Sequence, residues 1–177
     1  MGMTEQATVL KDIPGARALE FSRTELFERT FREGMSLVEE TAAYLDGPGR
    51  AASKRLSRAS ALAYAGESMR LTTHLMQVAS WLLVQRALRD GNMTLAEAAD
   101  EKYRFSGRER SEPADFATGL ELPEELHTLM GRADGLYERV KRLDEKMYGH
   151  EVEAPSNGVT TQFDRLRAAL AGGAFSR

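Results

Sequence analysis

The sequence has 177 residues, a formal net charge of −3 and no cysteine. This length suits one domain with its own core. The charge provides no global positive field that would draw the chain to nucleic acid or anionic lipid, and the lack of cysteine excludes disulfides, thiolate nucleophiles and cysteine-ligated metal sites. With 7% aromatic residues and 5 prolines, the composition favours an all-α protein.

The N-terminal residues show no sustained hydrophobic period, and Pro14-Gly15 is a turn signal. They also lack the positive-then-apolar layout of a signal peptide. We therefore expect residues 1–21 to be a flexible arm of a cytoplasmic protein. The longest strongly apolar run, from Val78 to Val84, is far shorter than the ~20 residues that a membrane-spanning helix needs, so we expect no membrane segment.

The first long helix is predicted to begin at Ser22, because Ser22 and Glu25 have the spacing of a capping box. Apolar residues then recur at steps of three and four, which places them on one face. This predicted core face consists of Phe27, Phe31, Gly34, Met35, Val38, Ala42 and Leu45. Residues 46–49, Asp-Gly-Pro-Gly, predict that the helix ends in a tight turn.

The second helix is predicted to be the longest. It begins between Ala51 and Ser57 and ends near Arg89, before the stop signal at residues 90–92. It carries two apolar stripes: Leu62, Ala65, Met69, Thr72, Met76, Ala79 and Leu83 in one register, and Tyr64, Leu71, Leu75, Val78 and Leu82 in the other. One stripe is enough for packing in a bundle. The surplus indicates a central helix contacted on two sides, a face reserved for a second copy, or both, and we favour both.

A short extra helix is predicted from Leu95 to about Tyr103, because Thr94 and Glu97 form another capping-box pattern. Residues 104–121 then lose all periodicity. A loop of this length without regular structure is uncommon unless it is functional or disordered. We interpret it as a candidate docking loop.

The third long helix is predicted to have Pro123 as its first residue and to end at Gly149. Its predicted buried face consists of Leu126, Leu129, Met130, Ala133, Leu136, Tyr137, Val140, Leu143 and Met147. Its predicted mixed, charged outer face consists of Asp134, Glu138, Arg139, Lys141, Arg142, Asp144 and Glu145.

The C-terminal residues 150–177 are predicted to form a flexible tail. Phe163, Leu166 and Leu170 are spaced so that an amphipathic turn would order on a partner, although an ordinary frayed end explains them equally well. Residues 22–149 are thus predicted to form an antiparallel three-helix bundle. It would have a short extra helix, a long loop between helices 2 and 3, and flexible termini.

Residues that carry chemistry are scattered along the chain. Glu124 and His127 form a single E-x-x-H pair, whereas di-iron bundles use two such pairs and two further glutamates. No nucleophile elbow, H-E-x-x-H motif or Walker loop is present. His74 shares a helix face with Trp81, and for Trp81 we favour burial in the core over an exposed hot spot. We expect no catalytic residue, no cofactor and no metal.

A basic cluster lies around the start of the second helix. It consists of Arg50, Lys54, Arg55 and Arg58, with no acidic residue among them. A solvated charged segment is the default interpretation, and docking of acidic partner proteins is the functional one. Nucleic acid is less favoured, because the cluster lacks interleaved aromatic residues that would stack on bases.

Two stretches of sequence, MSLVEETAAYLDGPGR (35–50) and SRASALAYAGESMRLTTHLMQVASWLLVQRAL (57–88), closely resemble the RcdA family of alphaproteobacterial regulators of CtrA degradation. The resemblance implies a homodimeric three-helix bundle that acts as a non-enzymatic adaptor of the ClpXP protease, in the cytoplasm and concentrated with the protease at a cell pole. It further implies that the adaptor joins ClpXP once CpdR has primed it and delivers cell-cycle transcription regulators. The cyclic-di-GMP-binding adaptor PopA can dock on it to extend the range of cargo.

The resemblance assigns no contact residues, so the candidate binding residues remain the basic cluster and Phe163, Leu166 and Leu170. Two alternatives stay open. One is a dimeric helical scaffold for protein interactions, and the other is a DNA-associated regulator with no link to a protease.

Overall fold

The computed structural model describes residues 15–105 and 119–149, and every regular element in these two ranges is helical. The elements are α1 (Ala16–Ser22), α2 (Glu25–Asp46), α3 (Pro48–Ser53), α4 (Arg58–Arg89), α5 (Leu95–Ala98), a 3-10 helix (Glu101–Tyr103) and α6 (Glu124–Tyr148). The predicted all-α class is confirmed, and the three long helices α2, α4 and α6 pack against one another around one core.

The directions of the long helices can be read from their side-chain pairs. Arg132 and Arg139 of α6 bind Glu40 and Glu33 of α2, so α2 and α6 run antiparallel. The pair Glu28 and Arg89 joins the start of α2 to the end of α4, so these two helices are also antiparallel. The helices α4 and α6 instead run parallel, because increasing residue numbers on one meet increasing numbers on the other. Of the two pairs of consecutive long helices, α2 and α4 are antiparallel as predicted, whereas α4 and α6 are not.

The prediction of a flexible arm over residues 1–21 is wrong from residue 16 onward. Helix α1 packs on α4 and α6, and Ala18 and Ser22 are fully buried. The ring of Phe21 lies 5.7 Å from that of Phe27 and 6.2 Å from that of Trp81. Seven residues span only two turns, too few for a repeating pattern, and this is why periodicity missed the helix. Residues 1–14 lie outside the described ranges.

The N-cap of the first long helix is Thr24 and not Ser22. The Thr24 hydroxyl accepts a hydrogen bond from the backbone N–H of Phe27 at 3.2 Å. The Ser22 hydroxyl instead donates to the carbonyl of Leu19 within α1. The predicted start at Ser22 is therefore two residues too early.

The predicted tight turn after the first helix is a helix junction. Helix α2 ends at Asp46 as expected, but Pro48 then occupies the first turn of α3. Gly49 lies against the rings of Tyr44 and Tyr64. A Cβ atom on Gly49 would lie 2.5 Å from the Tyr64 hydroxyl and 2.7 Å from Cε1 of Tyr44. Only glycine leaves room for these tyrosines at the junction.

The buried face of α2 is shifted from the predicted one. Its buried residues are Phe27, Thr30, Gly34, Leu37, Thr41 and Tyr44. Four residues of the predicted face, Phe31, Met35, Val38 and Leu45, are only half-buried, and Ala42 is exposed. Gly34 allows α2 to approach α4 closely, since a Cβ there would lie 2.6 Å from Cδ1 of Leu82. Two neighbouring rows of α2 are apolar, and only one of them faces the centre of the bundle.

The remaining helix ends follow local signals closely. The Ser57 hydroxyl caps α4, and the helix ends at Arg89 as predicted. Both hydrogen bonds of the predicted Thr94–Glu97 capping box are present, and they hold the pKa of the Glu97 carboxyl below its usual value. The predicted extra helix is divided, because α5 ends at Ala98 and a separate 3-10 turn follows.

The third long helix ends at Tyr148, directly before Gly149, as predicted, while Pro123 lies one position before its first residue. The candidate docking loop 104–121 begins inside the core. Phe105 is fully buried, with its ring 4.7 Å from that of Tyr137. Residues 106–118 of that loop lie outside the described ranges.

Candidate protein-interaction surface

One apolar stripe of α4 is buried in the core, and the other is largely exposed to solvent. The stripe of Tyr64, Leu71, Leu75, Val78 and Leu82 is buried in the core. Leu62, Met69, Met76 and Leu83 of the other stripe expose 63%, 73%, 64% and 53% of their surface. They recur every seven residues, so they form one row along the outside of the helix.

A groove of about 320 Å³ continues this row onto α2. Val38, Ala42 and Leu45 of α2 line one side of it, and Thr72, Met76 and Ala79 of α4 line the other. We call the exposed row and this groove together the α2–α4 apolar face. Monomeric proteins rarely expose contiguous apolar surface of this kind, and such surfaces usually mark contacts with another protein.

The opposite, inward side of α4 carries a buried charged cluster. Arg70 donates to Glu67 at 2.8 Å and to both carboxylate oxygens of Asp134 on α6 at 3.0 and 3.2 Å. His74 Nδ1 lies 3.0 Å from Asp134 Oδ1, and the His74 ring stacks on Tyr137. Burial lowers the pKa of Arg70, but the hydrogen bonds with Glu67 and Asp134 outweigh burial and raise it. The cluster joins α4 to α6 about midway along α4.

A second polar cluster joins the same helices about two to three turns further along. Asp144 of α6 is fully buried and accepts hydrogen bonds from Trp81 Nε1 at 2.9 Å and Arg104 Nε at 3.3 Å. Arg104 also donates to the carbonyl of Tyr148, and the Tyr148 hydroxyl donates to Gln85 of α4. Burial raises the pKa of the Tyr148 hydroxyl. Hydrogen bonds therefore satisfy the carboxylate of Asp144 in an environment without water.

The prediction of a charged outer face on the third helix is wrong for Asp134 and Asp144. Both lie against α4, and their partners come from residues that are far away in the sequence. Spacing alone cannot distinguish a buried carboxylate from a solvated one, because the partner decides which is stable. A sequence signal did exist on α4, where Glu67, His74 and Trp81 follow one another at heptad spacing on the inward face.

The sequence-predicted basic cluster is solvent-exposed. Its residues Arg50, Lys54, Arg55 and Arg58 surround the junction between α3 and α4, and none of them forms an ion pair with another described residue. The other predicted binding residues, Phe163, Leu166 and Leu170, lie outside the described ranges. Trp81 is buried, which confirms the prediction that it belongs to the core.

The E-x-x-H pair lies at the exposed start of α6, where Glu124 and His127 both face solvent. Over residues 15–105 and 119–149, no group of three or more His, Cys, Asp or Glu side chains could hold a metal ion. In the same ranges, none of the helices has the length and apolar character needed to cross a membrane.

The chain matches a family described as a protein of unknown function, DUF1465, over residues 18–170. It is also similar to the solved crystal structure of RcdA from Caulobacter crescentus CB15. The two sequences are 56% identical over 75% of this chain and 99% of that chain, with a TM-score of 0.64. The chain belongs to the RcdA family. The resemblance predicted from residues 35–50 and 57–88 is thus confirmed, and the family match reaches residue 170, so it includes Phe163, Leu166 and Leu170. Among curated proteins, no match was found.

Proposed function

We propose that this chain is a non-enzymatic adaptor that tethers cell-cycle transcription regulators to the ClpXP protease after CpdR has primed it. The observation that carries the proposal is the 56% identity to RcdA over 99% of that protein's chain. As in the resemblance described above, cargo would include regulators such as CtrA, PopA would dock on this chain as a further adaptor, and the complex would concentrate with the protease at a cell pole.

The distribution of polar and apolar residues supports an adaptor. An adaptor raises the local concentration of cargo at the protease and breaks no bond itself, so it needs separate binding surfaces and no reactive centre. The described residues offer the α2–α4 apolar face and the exposed basic cluster. The inward-facing polar residues Asp134, His74 and Asp144 instead join helices to one another.

We further propose that the α2–α4 apolar face is covered by a second copy of the chain. A row of residues at heptad spacing on one straight helix can pack against the same row of a twofold-related copy. Covering Leu62, Met69, Met76 and Leu83 removes apolar surface from water on both copies at once.

Sedimentation equilibrium tests this interface with the variant Met76→Lys. We expect the wild-type chain to be a dimer and Met76→Lys to dissociate at least about tenfold more readily, because it buries an unpaired charge in the interface. Thr128→Lys places the same side chain on an exposed position of α6 and should remain dimeric. Equal behaviour of the two variants would exclude this face as the contact.

Reconstituted degradation tests the adaptor itself. The assay measures the rate at which purified ClpXP, primed by CpdR, degrades a transcription-regulator substrate at increasing concentrations of this chain. We expect the rate to rise and then fall, because excess adaptor places substrate and protease on different molecules. If the degradation rate does not change with the concentration of this chain, for any regulator and with or without PopA, the adaptor proposal is wrong. A dimeric interaction scaffold would then be the remaining interpretation.

Two variants, one for each set of binding residues predicted from the sequence, are tested in the same degradation assay. Substituting Phe163, Leu166 and Leu170 together by alanine should weaken delivery without changing thermal unfolding. Reversing Arg50, Lys54, Arg55 and Arg58 to glutamate should weaken docking of acidic partners. Loss of thermal stability in the alanine variant would contradict the first proposal, and unchanged degradation by the reversed variant would contradict the second.

A DNA-associated regulator is the second candidate function, because the four cations of the basic cluster are exposed without acidic partners among the described residues. DNA binding through four phosphate contacts would weaken steeply with salt, with a slope of log K against log salt of about −3.6. A fluorescence titration with duplex DNA at several salt concentrations distinguishes it, since the adaptor proposal predicts no such binding.

A further inference from the structure

A second groove, of about 400 Å³, lies between the first turns of α2 and the last turns of α6. We call it the α2–α6 groove. Arg29 of α2 and Arg139, Arg142 and Lys146 of α6 line it, together with Leu26 and Leu143. Among the described residues, Glu33 is the only carboxylate in the lining, and Arg139 already pairs with it. The groove is therefore a positive region on a chain whose net charge is −3.

The positions of the ion pairs that join α2 to α6 explain where the excess of positive charge in the groove arises. Further along the two helices, Glu40 pairs with Arg132, and Glu33 pairs with Arg139. Beyond Glu33 and Arg139, which themselves line the groove, this pairing stops. Arg29, Arg142 and Lys146 are exposed and form no ion pair with another described residue. Three cations thus stand around one opening without a counterion in the described part of the chain.

The helix dipole accounts for only part of this arrangement. Cations near the C-terminal end of α6 are favourable there, so Arg142 and Lys146 have a local explanation. Arg29 lies near the positive, N-terminal end of α2, where a cation gains nothing from the dipole. Leu26, beside Arg29, exposes 52% of its surface, although an exposed position on a helix is usually occupied by a polar residue. Charge and apolar surface occur together in the groove.

We infer that the α2–α6 groove binds a short acidic peptide segment of a partner protein. Guanidinium groups bind carboxylates through paired hydrogen bonds, so Arg29 and Arg142 suit glutamate and aspartate side chains. Leu26 and Leu143 provide contact for one apolar side chain of the peptide between the charges. The inference goes beyond the proposed adaptor activity and does not depend on it, because the isolated chain binds the peptide without protease.

Fluorescence anisotropy with the full chain tests this inference. The probe is a fluorescein-labelled synthetic peptide in which Glu-Glu-Leu-Asp occurs twice, and the control peptide carries Gln-Gln-Leu-Asn instead. We expect saturable binding of the acidic peptide at low salt and at least about tenfold weaker binding of the amide peptide. No saturable binding of the acidic peptide would overturn the inference.

Two neighbouring cations of α6 provide a matched pair of variants. Arg142 lines the groove and the adjacent Lys141 does not, while both are exposed. Arg142→Glu should weaken peptide binding about tenfold, and Lys141→Glu, with the same change in net charge, should alter it by no more than about twofold. Circular dichroism checks that both variants remain helical. Equal weakening by both would mean that the peptide responds only to overall charge, which overturns the inference.

Other occupants of the groove give distinct results. If Lys54→Glu/Arg55→Glu abolishes peptide binding while Arg142→Glu does not, the peptide binds the basic cluster and the inference is wrong. If Arg142→Glu turns a dimer into a monomer in sedimentation, the groove is a contact between copies. If single-stranded DNA displaces the peptide at lower concentration than an unlabelled copy of it does, the groove favours nucleic acid. Each of these outcomes overturns binding of an acidic peptide.

Discussion

The two sides of α4 both carry polar and apolar residues, whereas a helix in a bundle is expected to bury its apolar residues and expose its polar ones. The inward side contains Glu67, Arg70, His74 and Gln85, all of them buried. The outward side contains a row of leucine and methionine residues that is more than half exposed. The difference shows that partners on α6 decide which side is buried, and that side-chain polarity alone does not.

This arrangement has an energetic reason. A buried ion pair contributes little net stability, but a buried charge without its partner costs several kcal/mol. The carboxylates Asp134 and Asp144 meet their partners on α4 only in one register of α4 against α6. A shift by one turn would leave both clusters unpaired. The inward side therefore specifies how the helices align, while the outward side remains available for binding.

The largest expected effect is on the inward side, from Asp144→Ala. This change leaves the buried indole N–H of Trp81 without its acceptor and removes the carboxylate partner of Arg104. We expect a loss of about 3–5 kcal/mol in the free energy of unfolding, measured by urea denaturation. Glu145→Ala changes the exposed neighbour and should cost less than about 0.5 kcal/mol. A similar small loss for both variants would mean that Asp144 does not hold the two helices together.

Adjacent residues compare the two sides of α4 directly. Leu75 is buried and Met76 is exposed. We expect Leu75→Ala to cost about 2–4 kcal/mol, because it leaves a cavity in the core, and Met76→Ala to cost under about 0.5 kcal/mol. Both are measured by denaturation at low protein concentration, since a dimer adds concentration-dependent stability. A large cost for Met76→Ala in the monomer would contradict its placement on the outside.

Glycine substitutions test the packing at the junction of α2 and α3. Gly49→Ala should destabilise the protein by about 1–3 kcal/mol, because the added methyl group collides with Tyr44 and Tyr64. Gly135→Ala is the matched control in α6, where an added Cβ meets nothing within 4 Å. It should stabilise the protein by about 0.5–1 kcal/mol through helix propensity. Differential scanning calorimetry would show the two melting temperatures moving in opposite directions.

The smallest expected effect concerns the pKa of Tyr44, which lies on the side of α2 that faces α4. Burial, with contributions from Tyr64 and Glu125, raises the pKa of its hydroxyl to about 12. Since the folded-state pKa exceeds the unfolded value of about 10, its contribution to stability is complete below pH about 10 and disappears as the pH rises through about 12. The absorbance difference at alkaline pH between the wild type and Tyr44→Phe measures this pKa. A midpoint near pH 10 would contradict the burial.

Part of the candidate surface was evident in the sequence. The surplus stripe of α4 predicted an outward face, and the four most exposed large apolar residues of α4 all belong to it. Its continuation onto α2 was missed, because the residues that line the groove had been assigned to the core. The α2–α6 groove was missed as well. Arg29 lies more than a hundred residues before the groove's cations on α6, so no local pattern joins them.

The sequence by itself determined the all-α class, the family and most helix ends. Helix ends depend on side chains within about four residues, such as the capping pairs at Ser57 and Thr94, and local chemistry of this kind is readable in one dimension. The tertiary structure alone decided the packing of α1, the parallel course of α4 and α6, and the contacts of Asp134 and Asp144 with α4. These features depend on contacts between residues that are distant in the sequence. Local sequence patterns allow several ways of packing the helices, and the free-energy cost of burying an unpaired polar group decides which of them is stable.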